Sequence, residues 1–222
     1  MNEGRHDAGE SPWWHEWWHL DFAQPDGPAG FARLTLWPNE RVAWFWAYVV
    51  LPGQPGPVVV RDHEVTPPRG TLLEVRADGL WAECTCETAF EHWTYGLEAF
   101  AVRLDDPFDA LRGEIGERLP MGYDLEWEVH DEAAEPVPVA GGYAQSGTVR
   151  GEVLVGRDRH ELDGQGVRSH VWSSDDPWAA TATGDEPGAD ATIVVPLEHY
   201  AGPASHLVRT LRGGDWRETA HE

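Results

Sequence analysis

The sequence predicts an all-β protein whose antiparallel strands form a barrel or a sandwich. About a dozen short segments are apolar or alternate between apolar and polar residues, which is typical of strands. Turn-forming residues separate these segments, and the chain contains 24 Gly and 17 Pro. No 12-residue window carries the apolar stripe of an amphipathic helix. Without helices to connect parallel strands, the strands are expected to be antiparallel.

The first half of the chain contains four predicted strands. The first is rich in aromatic residues and ends at a turn sequence, Gln24-Pro25-Asp26-Gly27. The third is apolar on both faces, so we expect a central strand that is covered on both sides. These strands run from Trp14 to Phe22, from Phe31 to Trp37, from Val42 to Leu51 and, after a loop from Pro52 to Pro57, from Val58 onward.

The second half begins with a hairpin signal, Ala77-Asp78-Gly79, between two strand-like segments. The segment from Tyr123 to Val129 alternates most regularly, with apolar residues at odd positions and acidic residues at even positions. The best candidate for a short helix runs from Asp106 to Arg118. The remaining predicted strands are Thr71 to Arg76, Leu80 to Glu87, His92 to Leu104, Thr148 to Val155, Val167 to Trp172, Ala191 to Leu197 and Leu207 to Leu211.

The 222 residues are enough for one large domain with a sizeable core. Residues 1–11 are polar, and we expect a disordered tail there. No Pro/Gly-rich linker or repeat divides the remainder, so residues 12–222 are predicted to be a single domain. Nothing in the sequence determines the oligomeric state, and a homodimer is left open.

Composition restricts the partners of this protein. The formal charge is −23, from 39 acidic and 16 basic residues. Phosphate backbones and anionic membranes repel such a chain, so neither nucleic acid nor membrane is an expected partner. The N-terminus lacks the basic and apolar regions of a signal peptide. The two cysteines, Cys84 and Cys86, are too close in sequence to bridge easily within a strand, and we expect reduced thiols in the cytoplasm.

The segment His15-Glu16-Trp17-Trp18-His19 matches the H-E-x-x-H motif of zinc proteases. That chemistry needs a helix, whereas Pro12 and the surrounding tryptophans favour a strand. In a strand the two histidines lie roughly 13 Å apart and cannot bind one ion. Nucleotide and phosphate-binding signatures are also lacking, so no metal and no cofactor are expected.

Two segments resemble a known protein family. Glu16-Trp17-Trp18-His19-Leu20-Asp21-Phe22 is similar to the E-W-W-Y-F segment of the carotenoid 1,2-hydratase (hydroxyneurosporene synthase) and AttH-like proteins. The segment from Gly164 to Trp172 resembles their G-x-(G/A)-x-x-D-H-x-W-G signature, and the resemblance spans roughly residues 12 to 180. It implies a lipocalin-like (calycin) β-barrel with a few extra C-terminal strands, since only about 50 residues follow Trp172.

The sequence departs from that family at three positions. His19 stands where the family has Tyr, Ser169 where it has Asp, and Ser173 where it has Gly. The family Asp is held to protonate the polyene in the hydratases. With Ser169 in its place, the resemblance does not extend to carotenoid hydration.

Three residues are candidates for proton transfer. Glu16 shares a strand face with aromatic residues, and burial favours the protonated form of a carboxyl group. His170, at the end of a strand, is suited to acid/base work near pH 7. Asp124 becomes an inward acid only if the faces of its strand are reversed. The structural alternatives are that these side chains satisfy buried hydrogen bonds or lie on a solvated face.

Aromatic residues are the candidates for substrate binding, because Trp and Tyr stack on unsaturated ligands and stabilise developing cations. On the third strand, the stripe of Trp44, Trp46 and Tyr48 is preferred over the opposite face. Plain core packing is the alternative for all of these residues. The full set is Trp18, Trp44, Trp46, Tyr48, Tyr123, Trp127 and Trp172.

These residues predict a cofactor-independent acid/base enzyme that acts on a hydrophobic small molecule. The reaction classes are cyclisation, isomerisation, and addition or loss of water, and a polyketide or terpenoid natural-product intermediate would suit the aromatic walls. The alternative is a non-catalytic lipocalin-like carrier of a lipophilic ligand.

Overall fold

A computed structural model describes residues 3–12, 14–105, 115–130, 136–139, 141–174, 191–196, 206–212 and 215–221. The chain forms 14 strands in this part. They are β1 (His15–Ala23), β2 (Ala29–Trp37), β3 (Val42–Val50), β4 (Val58–Val65), β5 (Glu74–Ala77), β6 (Leu80–Thr88), β7 (His92–Leu104), β8 (Gly116–Val129), β9 (Val137–Val139), β10 (Gly142–Val155), β11 (Asp158–Ser173), β12 (Ala191–Pro196), β13 (His206–Arg212) and β14 (Asp215–His221).

The main sheet closes on itself through eight antiparallel strands. Its order is β4-β3-β2-β1-β11-β10-β8-β7, and β7 returns to β4 through the pairs Val58–Arg103 and Val59–Val102. The hairpin of β5 and β6 extends from the other part of β7, and β9 pairs with β10. The prediction of an all-β, antiparallel, barrel-like fold is therefore confirmed.

Side chains fill the interior of this ring, as expected for eight strands. On β8, Tyr123, Leu125 and Trp127 point inward and are buried, whereas the intervening acidic residues are exposed. The inward residues of β1 are Glu16, Trp18, Leu20 and Phe22, all almost fully buried. Both faces are assigned as the alternation along these strands predicts.

The prediction for the faces of β3 is wrong. Phe45, Ala47 and Val49 join the interior core, so the stripe of Trp44, Trp46 and Tyr48 lies on the outer face. There the stripe packs on aromatic residues of β2: Phe31 lies 5.6 Å from Tyr48 and 5.2 Å from Trp46 between ring centroids, and Trp37 lies 4.9 Å from Trp44. Because β3 is apolar on both faces, its pattern does not identify the inner one. The interior takes the stripe with the smaller side chains.

The N-terminal segment, residues 3–12, lies against the ring instead of forming the expected disordered tail. Arg5 donates through Nη1 to the carbonyl oxygens of Pro68 (2.9 Å) and Gly70 (2.7 Å). Asn39 donates through Nδ2 to the carbonyl oxygens of Gly9 (2.9 Å) and Ser11 (2.7 Å). These partners are distant in the sequence, so the polar composition of the segment does not reveal them.

The C-terminal strands form a separate antiparallel sheet in the order β12-β13-β14. The first two were predicted, and β14 was not. The expected helix from Asp106 to Arg118 falls mostly outside the described residues, and its last three residues, 116–118, begin β8. In the described part of the chain, no helix has the length and apolar character needed to cross a membrane.

Candidate functional site

The carboxylate of Glu16 lies between two imidazole rings. Glu16 is on β1 and His170 on β11, and the pairing of Trp18 with His170 makes them diagonal neighbours on the inner face. His170 Nε2 lies 2.8 Å from Glu16 Oε1, and His6 Nδ1 lies 2.7 Å from the same oxygen. The side chains of Glu16 and His170 are 1% and 0% exposed, whereas that of His6 is 23% exposed.

The N-terminal segment completes the hydrogen bonding of this carboxylate. The backbone N–H of His6 donates to both Oε1 and Oε2 of Glu16, at 3.1 Å each. The His6 ring stacks on Trp172 with 3.8 Å between centroids. His6 is therefore held by its backbone and by its ring, and it forms the outer side of the cluster.

His170 is enclosed by aromatic rings. It stacks on Trp18 at 4.5 Å and meets Tyr143 and Trp172 edge to face at 5.6 and 5.1 Å. Burial lowers the pKa of His170, although the hydrogen bond and the charge of Glu16 act in the opposite direction. Burial therefore disfavours the charged form of this ring.

The second nitrogen of His170, Nδ1, lies 3.3 Å from the hydroxyl oxygen of Tyr143. That hydroxyl donates to Oε2 of Glu3 in a short hydrogen bond. Burial, supported by Glu3, raises the pKa of Tyr143, so it stays protonated. Because the one phenolic proton goes to Glu3, Tyr143 offers a lone pair to His170 and favours a proton on Nδ1. Nε2 lies 2.8 Å from Oε1 of Glu16, so the Glu16–His170 pair shares a second proton across this contact.

A buried ion pair lies beside this cluster. Arg168, 1% exposed on the inner face of β11, donates to both carboxylate oxygens of Glu3 and to Oε1 of Gln145. The guanidinium carbon lies 5.0 Å from the ring centroids of both Trp93 and Trp127. Glu3 is 8% exposed, so the N-terminal segment places a carboxylate inside the ring.

The structure brings together four of the ten residues that the sequence singles out. Glu16, His170, Trp18 and Trp172 form one cluster. Trp127 lies on the adjoining Arg168, and Tyr123 is buried in the core.

Asp124 does not belong to the site. It is exposed on the outer face of β8, where it pairs with Gly96 and Glu152 of the neighbouring strands. The prediction of Asp124 as an inward acid is therefore wrong. The alternation of β8 itself points this carboxyl group to solvent, because the apolar stripe of Tyr123, Leu125 and Trp127 occupies the interior.

Trp44, Trp46 and Tyr48 are also outside the site, because they lie on the outer face of β3. Tyr48 does line an outer cavity of about 550 Å³, together with Asp21, Phe31 and Val167. This stripe does not line the interior, contrary to the prediction.

Sequence reasoning missed Glu3, His6, Tyr143 and Arg168. Arg168 had a detectable signal, because it is two residues before His170 on one strand and so shares its face. Tyr143 opposes His170 across the β10–β11 pair, which only the register shows. Glu3 and His6 belong to a segment without a strand pattern, and no local signal marks them.

His15 and His19 of the H-E-x-x-H match lie on a strand, as expected. The ring of His15 lies 5.0 Å from Trp37, and Nε2 of His19 lies 2.9 Å from Oδ1 of Asp21. Both are on the face opposite to Glu16. A different set, His6, Glu16 and His170, has ligand atoms within 4.8 Å of one another and could hold a transition metal. The expectation of no metal stays a prediction.

Comparisons with known proteins give one match. The model of a family described as a domain of unknown function (DUF7064) matches residues 1–183, which include the N-terminal segment and every strand of the eight-stranded ring. No curated protein and no solved structure matches the chain.

Proposed function

The chain belongs to the DUF7064 family, and from its buried cluster we propose a cofactor-independent acid/base enzyme that acts on a hydrophobic small molecule. The reaction is a cyclisation, an isomerisation, or an addition or loss of water, on an intermediate such as a polyketide or terpenoid. One observation carries the proposal: a buried carboxylate, that of Glu16, lies within 2.8 Å of two imidazole nitrogens. Carboxylate–imidazole pairs of this kind orient a ring for proton transfer.

His6 is the ring that meets the substrate in this proposal, because it is the exposed member of the cluster. Its Nδ1 is held by Glu16, which leaves Nε2 to take a proton from a substrate carbon or hydroxyl group. Glu16 stabilises the imidazolium that forms, and the same proton returns from Nε2 to another substrate atom. His170 lies on the inner side of Glu16 and shares a proton with the carboxylate, which adjusts the negative charge next to His6.

The aromatic surroundings support chemistry on an unsaturated or cationic intermediate. Trp172 stacks on His6 and Trp18 stacks on His170. Indole faces stabilise positive charge, and their apolar bodies exclude water from the reacting atoms. The resemblance of Glu16–Phe22 and Gly164–Trp172 to proteins that act on polyenes also supports a hydrophobic substrate. The free thiols Cys84 and Cys86 support a cytoplasmic setting.

A lipophilic-ligand carrier is the second candidate. The observation that favours it is the depth of the pair: Glu16 and His170 are almost fully buried, and side chains fill the interior around them. A carrier uses such a pair to fix the ring of strands and needs no contact between it and the ligand. In that case the protein binds apolar molecules without altering them.

Exchange of carbon-bound hydrogen with solvent separates the two candidates. Native protein is incubated in D₂O with a panel of aryl ketones and α,β-unsaturated ketones, and deuterium uptake is followed by proton NMR. We expect uptake above the buffer rate for at least one compound and a loss of about 100-fold in Glu16→Gln. The matched control, Glu126→Gln on the exposed face of β8, keeps the native rate. Equal rates for native protein and Glu16→Gln would exclude the acid/base role.

A further inference from the structure

The carboxylate of Glu3 is held by four donors. Arg168 donates from Nη1 to Oε2 (3.0 Å) and from Nη2 to Oε1. Tyr143 donates its hydroxyl proton to Oε2, and the backbone N–H of Phe90 donates to Oε1 at 2.8 Å. Each carboxylate oxygen therefore receives two hydrogen bonds, the arrangement of a dedicated carboxylate-binding site.

None of the four donors comes from the N-terminal segment, which supplies only the acceptor. Arg168 lies on β11, Tyr143 on β10, and Phe90 in the turn between β6 and β7. Glu3 is 165 residues away from Arg168 in the sequence. The ring thus forms a receptor to which its own chain supplies the ligand.

This receptor is braced independently of Glu3. Gln145 pairs with Arg168 across β10 and β11, accepts from its Nη2, and donates from Nε2 to the carbonyl oxygen of Phe90 (3.0 Å). Phe90 has a φ of 62°, a left-handed conformation that is unusual for a bulky residue and is typical of functional sites. One glutamine therefore fixes two of the donors, and a strained backbone directs the N–H of Phe90 to the carboxylate.

The walls of the receptor are apolar. The faces of Trp93, Trp127 and Tyr143 lie 5.0, 5.0 and 5.4 Å from the guanidinium carbon of Arg168. The Phe90 ring lies 5.6 Å from that of Tyr143. A ligand that matches both the carboxylate-binding donors and these apolar walls carries one carboxylate on an aromatic or aliphatic body.

From this arrangement we infer that Arg168, Tyr143 and the Phe90 N–H form a binding site for an apolar carboxylic acid, and that Glu3 occupies it as an intramolecular stand-in. The inference deepens the proposed function by naming a substrate class. Tyr143 connects the two sites, because its hydroxyl contacts both Glu3 and His170. A bound acid that replaces Glu3 has its body next to the cluster of His6, Glu16 and His170.

Displacement of Glu3 also moves the segment that carries His6. A tethered ligand competes at an effective concentration of the order of millimolar, so a free acid binds weakly while Glu3 is present. Removing the Glu3 carboxylate is therefore expected to tighten the binding of free acids. This gain in affinity for free acids is the quantity to measure.

The test compares Glu3→Ala with native protein and with Glu10→Ala, which removes an exposed acid from the same segment. The probes are 4-phenylbutanoate and octanoate, with 4-phenylbutan-1-ol as the uncharged match, and Kd is measured by calorimetry. We expect Glu3→Ala to bind both acids at least about tenfold more tightly than native protein and Glu10→Ala do. Binding of the alcohol stays the same in all three. In Glu3→Ala/Arg168→Met, the preference for acids is lost.

If Glu3→Ala is unfolded in buffer, circular dichroism with and without 4-phenylbutanoate replaces calorimetry. Refolding by the acid but not by the alcohol supports the site, and no refolding by either contradicts it. In a folded variant, equal affinities of Glu3→Ala and native protein for the acids overturn the inference.

The two proposals fail separately. Acid binding is measured without turnover, and Glu16→Gln is expected to keep it. If the protein binds acids but catalyses no hydrogen exchange, the acid-binding site is supported and the acid/base function is contradicted. If it catalyses exchange on uncharged ketones but binds no acids, the acid/base function is supported and the acid-binding site is contradicted.

Discussion

Glu16 and His170 are 154 residues apart in the sequence, and their side chains meet at 2.8 Å inside the ring of strands. Their contact depends on the pairing of β1 with β11, which joins strands from opposite ends of the ring segment. Because burial lowers the pKa of His170, the titration of this ring is coupled to folding. The free energy of unfolding should therefore depend on pH through this site.

We expect His170 to make the protein less stable as the pH falls. Burial lowers the pKa of His170 in the folded state below its usual value of 6.5. Between the two pKa values the unfolded chain binds a proton and the folded chain does not, so the free energy of unfolding falls as the pH falls below about 6.5. Urea unfolding of native protein and His170→Gln, from pH 5 to pH 8, measures this dependence. The slope of stability against pH should be smaller in the variant.

His63 provides the control for that experiment. Its pKa is also lowered, by burial first and then by Arg61, so it contributes in the same direction. Because it lies on β4 and not in the cluster, His63→Gln should remove its own part of the slope and leave that of His170. A native slope that His170→Gln does not change would contradict a lowered pKa of His170 in the folded protein.

Substitution of Glu3 and substitution of Arg168 are expected to lower the free energy of unfolding by different amounts. Glu3→Ala leaves a buried guanidinium without its counter-ion, which costs about 3–5 kcal/mol in the free energy of unfolding. Arg168→Met costs less, roughly 1–2 kcal/mol, because Glu3 lies on a segment that forms no strand and can turn out into water. Arg168 is fixed on an inner strand position and has no such outlet.

Urea unfolding of both single variants and of Glu3→Ala/Arg168→Met measures this asymmetry. The double variant should be close to Arg168→Met, since Glu3 loses its only charged partner among the described residues once the guanidinium is absent. If Arg168→Met were the more destabilised single variant, the carboxylate would be as firmly held as the guanidinium. The view of Glu3 as a removable ligand would then be wrong.

The sequence predicts the inward face of a strand only where the apolar residues are confined to one face. β8 is apolar on one face and acidic on the other, and β1 is apolar on the face of Glu16, so their inward residues follow from alternation. β3 offers two apolar faces, and only the packing of Trp44 and Trp46 on β2 decides between them. A period of two residues identifies a strand, but it does not identify the inner face when both faces are apolar.

Of the candidate site, the sequence predicts some of the residues on strands and none of those in the N-terminal segment. Glu16 and His170 were recognised because each belongs to an alternating or motif-bearing strand. Glu3 and His6 are in a polar segment whose partners include Arg168 and Tyr143, far along the chain, and Glu16 on the first strand. Long-range pairing of this kind leaves no periodicity in the sequence, so composition alone favoured disorder.

Chelation tests whether the histidine cluster acts without a metal. For the proposed acid/base reaction, we expect EDTA dialysis to leave the rate of hydrogen exchange unchanged, because Glu16 and the two imidazoles supply the proton transfer themselves. Added Zn²⁺ should inhibit, since His6, Glu16 and His170 form a suitable ligand set and a bound ion occupies their lone pairs. Loss of exchange on chelation, with recovery on adding zinc, would instead make the cluster a metal site.

Trp172 is expected to control the activity of His6. The indole lies parallel to the imidazole at 3.8 Å, so it both positions the ring and stabilises its protonated form. Trp172→Leu removes the stacking and is expected to lower the rate of hydrogen exchange about tenfold.

Trp81→Leu is the matched control, because Trp81 is half-buried on β6 and donates its indole N–H to Glu74 away from the cluster. The two variants are compared by exchange rates at pH 7 and by urea unfolding. A purely structural role for Trp172 would lower stability and leave the exchange rate of the folded protein unchanged. Slower exchange in folded Trp172→Leu, together with native exchange in Trp81→Leu, would support His6 as the group that exchanges protons with the substrate.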